Sequence, residues 1–137
     1  MRNPNVRILV IAVVLIAAVA AAGLLMQGAG ENAIPEANEN TRAYLRVQAG
    51  SEIWPLIPLT DGGEYVVEQD NGCKNVIHTT QDSIVMHFST CDNQNCIHQG
   101  VVSVDNRAGR VLGGMIVCLP NEVVLELLTP DEVQEGS

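Results

Sequence analysis

Residues 74–89, KNVIHTTQDSIVMHFS, read as two short strands, Lys74–Thr79 and Ser83–Ser89, folded back on each other as a hairpin. In the second strand Ile84, Met86 and Phe88 recur two apart, and the period of a strand sets them on one face. Turn length decides how the two histidines face. With a two-residue turn at Gln81–Asp82, His78 lies opposite Val85 and shares a face with His87. With a three-residue turn the two fall on opposite faces, because a one-residue slip inverts the alternation. The expectation is solvent-facing strand histidines.

The same alternation extends both ways along the chain. Upstream, Tyr44–Gln48 and Ile53–Leu59 are strand-like. The latter carries Pro55 and Pro58, which cannot donate to a ladder, and so predicts an edge or irregular strand. Asp61-Gly62-Gly63 is a turn, Glu64–Gln69 alternates with Tyr65 and Val67 on one face, and Asp70-Asn71-Gly72 is a second turn. Downstream, a polar, cysteine-bearing loop over 90–100 leads into a short strand, Gly100–Val104. Asp105–Gly114 follows as a flexible loop with three glycines. Met115–Leu119 and Glu122–Leu128 close the pattern, with Val123, Leu125 and Leu127 facing in and Glu122 and Glu126 out. The expectation is a small all-β domain over 42–129, a compact barrel or sandwich. Only four aromatics occur (Tyr44, Trp54, Tyr65 and Phe88), so its core must come from Val, Ile, Leu and Met, and aromatic platforms for bases or sugars are lacking.

Ahead of the domain, Ile8–Met26 is a run of 19 residues without a polar side chain, preceded by Arg2 and Arg7. As a helix it would cover roughly 28 Å, close to the hydrocarbon thickness of a bilayer. Its 19 residues exceed the core of a cleavable signal peptide, although Ala20-Ala21-Ala22-Gly23 resembles a cleavage site. Its continuous apolarity also leaves no polar face for a soluble helix. The reading is an uncleaved transmembrane signal anchor. The arginines before it predict residues 1–7 in the cytoplasm and everything after 26 outside the cell membrane. Residues 27–41, QGAGENAIPEANENT, are an acidic flexible linker, and 130–137 a short acidic tail.

All 16 acidic residues follow the anchor, against five basic ones, so the exported part carries −11. Affinity for nucleic acid comes largely from Lys and Arg contacts to phosphate, so this charge excludes a nucleic-acid partner. No Ser/His/Asp arrangement, phosphate-binding glycine loop or carboxylate pair stands out. The expectation is therefore a protein that is not an enzyme and needs no cofactor.

Four cysteines (Cys73, Cys91, Cys96 and Cys118) and three histidines (His78, His87 and His98) could carry chemistry. A small exported domain gains from disulfides, each of which stabilises by about 2–4 kcal/mol. Four cysteines allow three pairings. Joining Cys118 to Cys91 or Cys96 would staple the loop to the last strands and is preferred to a local Cys91–Cys96 bridge, since the longer closed loop restrains the unfolded chain more. The rival reading is thiol-redox chemistry or metal binding. Cys91-x4-Cys96-x-His98 with Cys118 offers three sulfurs and a nitrogen, a set suited to zinc, although the spacing is not that of the usual zinc motifs.

Three stretches carry a resemblance: Asn75-Val76-Ile77, Thr90–Gly100 (TCDNQNCIHQG), and Ile116–Asn121 (IVCLPN) with Val123–Leu128. Over roughly 42–129 the chain resembles the NusG domain II family, whose free-standing members have one N-terminal anchor and one small β domain. The pattern C-x4-C-[IV]-x-x-G with I-[VI]-C-L-P is specific. Cys91, Cys96 and Cys118 fall on the family's cysteine positions, whereas Cys73 departs from them. The resemblance implies a β-barrel-like fold and no particular activity. Together with the anchor, it leads to the expectation of a non-catalytic interaction or accessory module of the bacterial envelope. Its membrane contact would be the N-terminal helix, and its partner another envelope protein.

Overall fold

In the computed structural model, which describes residues 34–136, nine strands form two antiparallel sheets. They are numbered in chain order: Tyr44–Ala49 (β1), Glu52–Ile53 (β2), Ile57–Pro58 (β3), Gly63–Glu68 (β4), Lys74–Thr79 (β5), Ser83–Ser89 (β6), Val102–Ser103 (β7), Met115–Cys118 (β8) and Val123–Leu128 (β9). The first sheet is centred on β1 and β9, paired from Tyr44↔Leu128 to Ala49↔Val123. Alternation along both sends Leu45, Val47, Val123, Leu125 and Leu127 into the core, each fully buried. On the outer face Arg46 lies opposite Glu126, with Nη1 2.8 Å from the carboxylate.

β2 and β3 pair with opposite ends of β1, through Gln48↔Ile53 and Leu45↔Ile57. The stretch expected as one irregular edge strand is thus an edge strand in two pieces, interrupted around Pro55. β8 completes the sheet along the other side of β9. Gly114, just before β8, bonds the Leu127 N–H through its carbonyl at 2.8 Å. A Cβ at that position would lie 2.7 Å from the Leu127 oxygen, so the approach requires glycine.

The second sheet runs β4-β5-β6-β7. Tyr65, Val67, Ile77, Ile84 and Met86 from its inner face join the residues of the first sheet in one hydrophobic cluster. The two sheets do not close into the barrel that the resemblance implied. Each candidate seam is only two residues long: β3 ends in Pro58, which has no N–H to donate, and β7 pairs only through Ser83↔Ser103 and Ile84↔Val102.

Local structure adds to or departs from the expected pattern at four places. β5 and β6 slip by one residue between Val76↔Phe88 and Ile77↔Met86, leaving His87 as the extra residue of a bulge. Phe88 therefore leaves the face of Ile84 and Met86 and is 45% exposed, while Ser89 turns inward and is buried. Within 90–100 the chain makes a one-turn helix, Asn95–His98, and within 105–114 a 3-10 turn, Arg107–Gly109. The acidic tail contains a helix, Pro130–Glu135, opened by a capping box between Thr129 and Glu132. Arg107 clamps this helix: its guanidinium binds both Glu132 carboxylate oxygens and donates to the Leu127 carbonyl at 2.8 Å.

The anchor expected over 8–26 and most of the linker lie outside the described residues. Among those described, no helix is long and apolar enough to cross a membrane.

Candidate functional site

The cysteine loop begins where β6 ends at Ser89. Gln94 takes the left-handed conformation, φ 54°, uncommon for a side chain other than glycine. That turn starts the helix Asn95–His98 and swings Cys96 back over Cys91. Bonds from the Gln94 amide offset the strain: Nε2 donates to the carbonyls of Ser89, at 2.8 Å, and of Cys91, and approaches Cys91 Sγ at 3.8 Å. Cys118 enters from the far end of β8, where alternation with buried Ile116 aims it inward. Gln99 joins loop to strand by bonding both backbone groups of Val117, donating to its carbonyl at 2.7 Å and accepting its N–H at 3.0 Å.

Cys91, Cys96 and Cys118 are thus brought together. Their sulfurs all lie within 4.8 Å of one another, and Cys91 and Cys96 are 3.5 Å apart. Their residues are only 4%, 1% and 1% exposed. All three are free thiols, as is Cys73.

A polar shell surrounds the sulfurs. Ser89 Oγ is 3.6 Å from Cys118 Sγ and accepts the Cys91 N–H at 3.2 Å. Asn75, fully buried on β5, donates to Ser89 Oγ at 3.0 Å. Asn121 donates to Asn75 Oδ1 at 2.8 Å and is itself anchored by Gln69, whose Nε2 reaches the Asn121 carbonyl at 2.6 Å. Buried polar groups that are all bonded make a rigid environment. The sequence reading gave Ser89, Asn75, Asn121 and Gln94 no role. One signal was present: Asn75 occupies an inward position two before Ile77 on a strand.

The environment separates the thiols. Burial pushes the Cys96 thiol up to about 12. Burial also opposes ionisation of Cys118, but hydrogen bonds from Ser89, Asn75, the Asn121 backbone and Cys96 prevail, and its thiol sits below the ordinary value. Of Cys96 and Cys118, the latter ionises more readily. Such a cluster can form a disulfide or bind a soft cation.

Two sequence candidates stay outside it. His98 is exposed on the helical turn and does not join the sulfurs, so the zinc set of three cysteines and one histidine is not assembled. The helix that buries Cys96 turns the residue two further on toward solvent. Cys73 is half-buried beside the turn before β5 and is also absent from the cluster. For the disulfide pairings, the sulfurs of the local Cys91–Cys96 pair are 3.5 Å apart, and Cys118 Sγ lies within 4.8 Å of both. The local approach comes from the left-handed turn at Gln94, which folds the five-step loop onto itself.

A second polar constellation lies on the outer face of the second sheet. Thr80 N–H bonds the Ser83 carbonyl at 2.9 Å, so the turn at Gln81–Asp82 has two residues and His78 pairs with Val85. The His78 and His87 rings stack at 3.8 Å, and His78 Nε2 lies 2.9 Å from Glu64. These groups are substantially exposed.

Two short-edged antiparallel sheets that share one core, with a thiol cluster between strand ends, define a small two-sheet β domain. The family model of NusG domain II matches residues 9–130, and the chain belongs to that family. No curated protein matches it. Similar solved structures include a DUF1312 family protein from Enterococcus faecalis, 18% identical, with a TM-score of 0.55, covering 65% of this chain and 99% of that one. The Lin0431 protein from Listeria innocua is 17% identical, with a TM-score of 0.54, covering 65% and 98%. At these identities the likeness is one of fold.

Proposed function

We propose that the chain is a membrane-anchored, extracytoplasmic β domain that serves as a non-catalytic interaction or accessory module of the bacterial envelope. The anchor is Ile8–Met26, and the acidic linker holds the domain off an anionic lipid surface that its charge of −11 would repel. Oxidation in that compartment would join Cys91 to Cys96. The observation that carries the interaction reading is the loop between β7 and β8. Val111 is fully exposed and Leu112 38% exposed, yet the loop is fastened to the body. Arg110 Nη1 donates to the carbonyls of Gln99, at 2.9 Å, and Val101, at 3.2 Å, which ties half-exposed Val101 to the same loop. Apolar side chains grouped on an otherwise acidic surface favour a protein partner over water.

A photo-crosslinking residue placed at Val111 in living cells should yield a discrete adduct with an envelope protein. The same residue at Glu64, on β4 at the opposite edge of the second sheet from β7, should not. Equal adducts at both positions, or none at Val111, would contradict the reading.

A further inference from the structure

We propose that the reduced cluster of Cys91, Cys96 and Cys118 is a three-coordinate site for a soft monovalent cation, Cu(I), rather than a zinc site. The proposal is independent of the interaction loop and of any partner. Metal–thiolate bonds of about 2.3 Å arranged in a plane set their sulfurs about 4 Å apart. Here Cys91 and Cys96 are separated by 3.5 Å and no pair exceeds 4.8 Å. The sulfurs need only small side-chain rotations to enclose one ion.

The donor set decides which ion. Structural zinc takes four protein ligands. Among the described residues, no histidine or carboxylate joins the three sulfurs, and His98 faces solvent. Cys91, Cys96 and Cys118 are at most 4% exposed, so bulk water has little access to a fourth position. An all-sulfur set without a fourth donor suits a soft cation, and Cu(I) is the common one.

The surroundings match a thiolate site. Gln94 Nε2 approaches Cys91 Sγ at 3.8 Å and Ser89 Oγ approaches Cys118 Sγ at 3.6 Å, and both are donors able to stabilise coordinated sulfur. Asn75 and Asn121 both donate to Ser89 Oγ, at 3.0 and 3.3 Å, which directs the hydroxyl proton toward Cys118. The site is closed, so the ion would be held in place. It would tie the loop of Cys91 and Cys96 to the end of β8.

The test uses the full chain in detergent, reduced and anaerobic, with four free thiols verified by intact mass. Cu(I) is supplied as its acetonitrile complex in competition with a Cu(I)-chelating dye. The expected result is one Cu(I) per chain, with ultraviolet thiolate-to-copper absorption and a raised melting temperature. Cys118→Ser should abolish uptake, and Ser89→Ala should weaken it by about 10–100-fold. Cys73→Ser and His98→Ala should bind as the parent does. No uptake by the folded, reduced parent chain would overturn the proposal without recourse to any variant. So would retention by folded Cys118→Ser, dependence on Cys73 or His98, or tighter binding of zinc than of Cu(I).

Discussion

Glu132 does two tasks with one carboxylate. It accepts from Arg107 on one side, and its Oε2 accepts the Thr129 N–H at 2.8 Å on the other. Hydrogen bonding to Arg107, followed by that to the Thr129 backbone, lowers its pKa from 4.5 to about 2. The folded value lies below the unfolded one, so the stabilisation is complete above about 4.5 and is lost as pH falls toward about 2. The side chain is 38% exposed and its partner 22%, so solvent screening keeps the pair's worth to about 1 kcal/mol or less. Glu132→Gln should loosen the helix Pro130–Glu135 at neutral pH, and its deficit should vanish near pH 2. Amide exchange of Val133 and Gly136, whose N–H groups bond Thr129 and Glu132, reads this directly. A deficit that persists unchanged in acid would assign the helix to other contacts. Gln94 belongs to the same scale: a strained backbone angle is tolerated because one side-chain amide finds two carbonyls.

At the scale of elements, β9 is the plainest case of sequence and structure agreeing. Leu125 is fully buried between β1 and β8, while Glu126 faces out toward Arg46. Leu125→Ala should cost roughly 2–5 kcal/mol in chemical denaturation. Glu126→Ala should cost at most about 1 kcal/mol, the range of an exposed cross-strand pair. Equal costs would mean the strand's faces are inverted. The bulge in β6 makes a second prediction. Deleting His87 should remove the bulge and keep the pairings Ile77↔Met86 and Val76↔Phe88, so that Phe88 stays out and Ser89 in. Ser89→Ala, by contrast, should leave Asn75 and Asn121 without that acceptor, at a cost of about 1–3 kcal/mol, the range for a buried polar group left unpaired. An undiminished denaturation midpoint for Ser89→Ala would show that the shell does not depend on that hydroxyl. Neither His87 nor Phe88 announces a bulge in the sequence, since the extra residue is set by partners on β5.

For the whole molecule, the prediction concerns topology. A reporter fused after Ser137 should be active only on the outer side of the membrane, because Arg2 and Arg7 precede the apolar segment and every acid follows it. Reporter activity in the cytoplasm would reverse the orientation and remove the compartment argument for Cys91–Cys96 oxidation. The Cu(I) proposal would stand apart from that outcome, since it concerns the reduced chain and rests on the sulfur cluster and its polar shell.

Strand existence was readable from the chain because alternation is a local property. β5 and β6 begin and end where the pattern of 74–89 changes, and Val123, Leu125 and Leu127 declare their inward face unaided. Family membership was likewise carried by short motifs around Cys91, Cys96 and Cys118. Tertiary structure decided what depends on contacts between distant segments. Whether the sheets close depended on the length of the seams at β3 and β7, which no single strand specifies. The two-residue turn, the slip at His87 and the exclusion of His98 followed from pairing and packing. The meeting of Cys118 with two cysteines of another loop required both sheets to share one core. Local periodicity states which way a side chain points, and only the packed fold determines what it meets there.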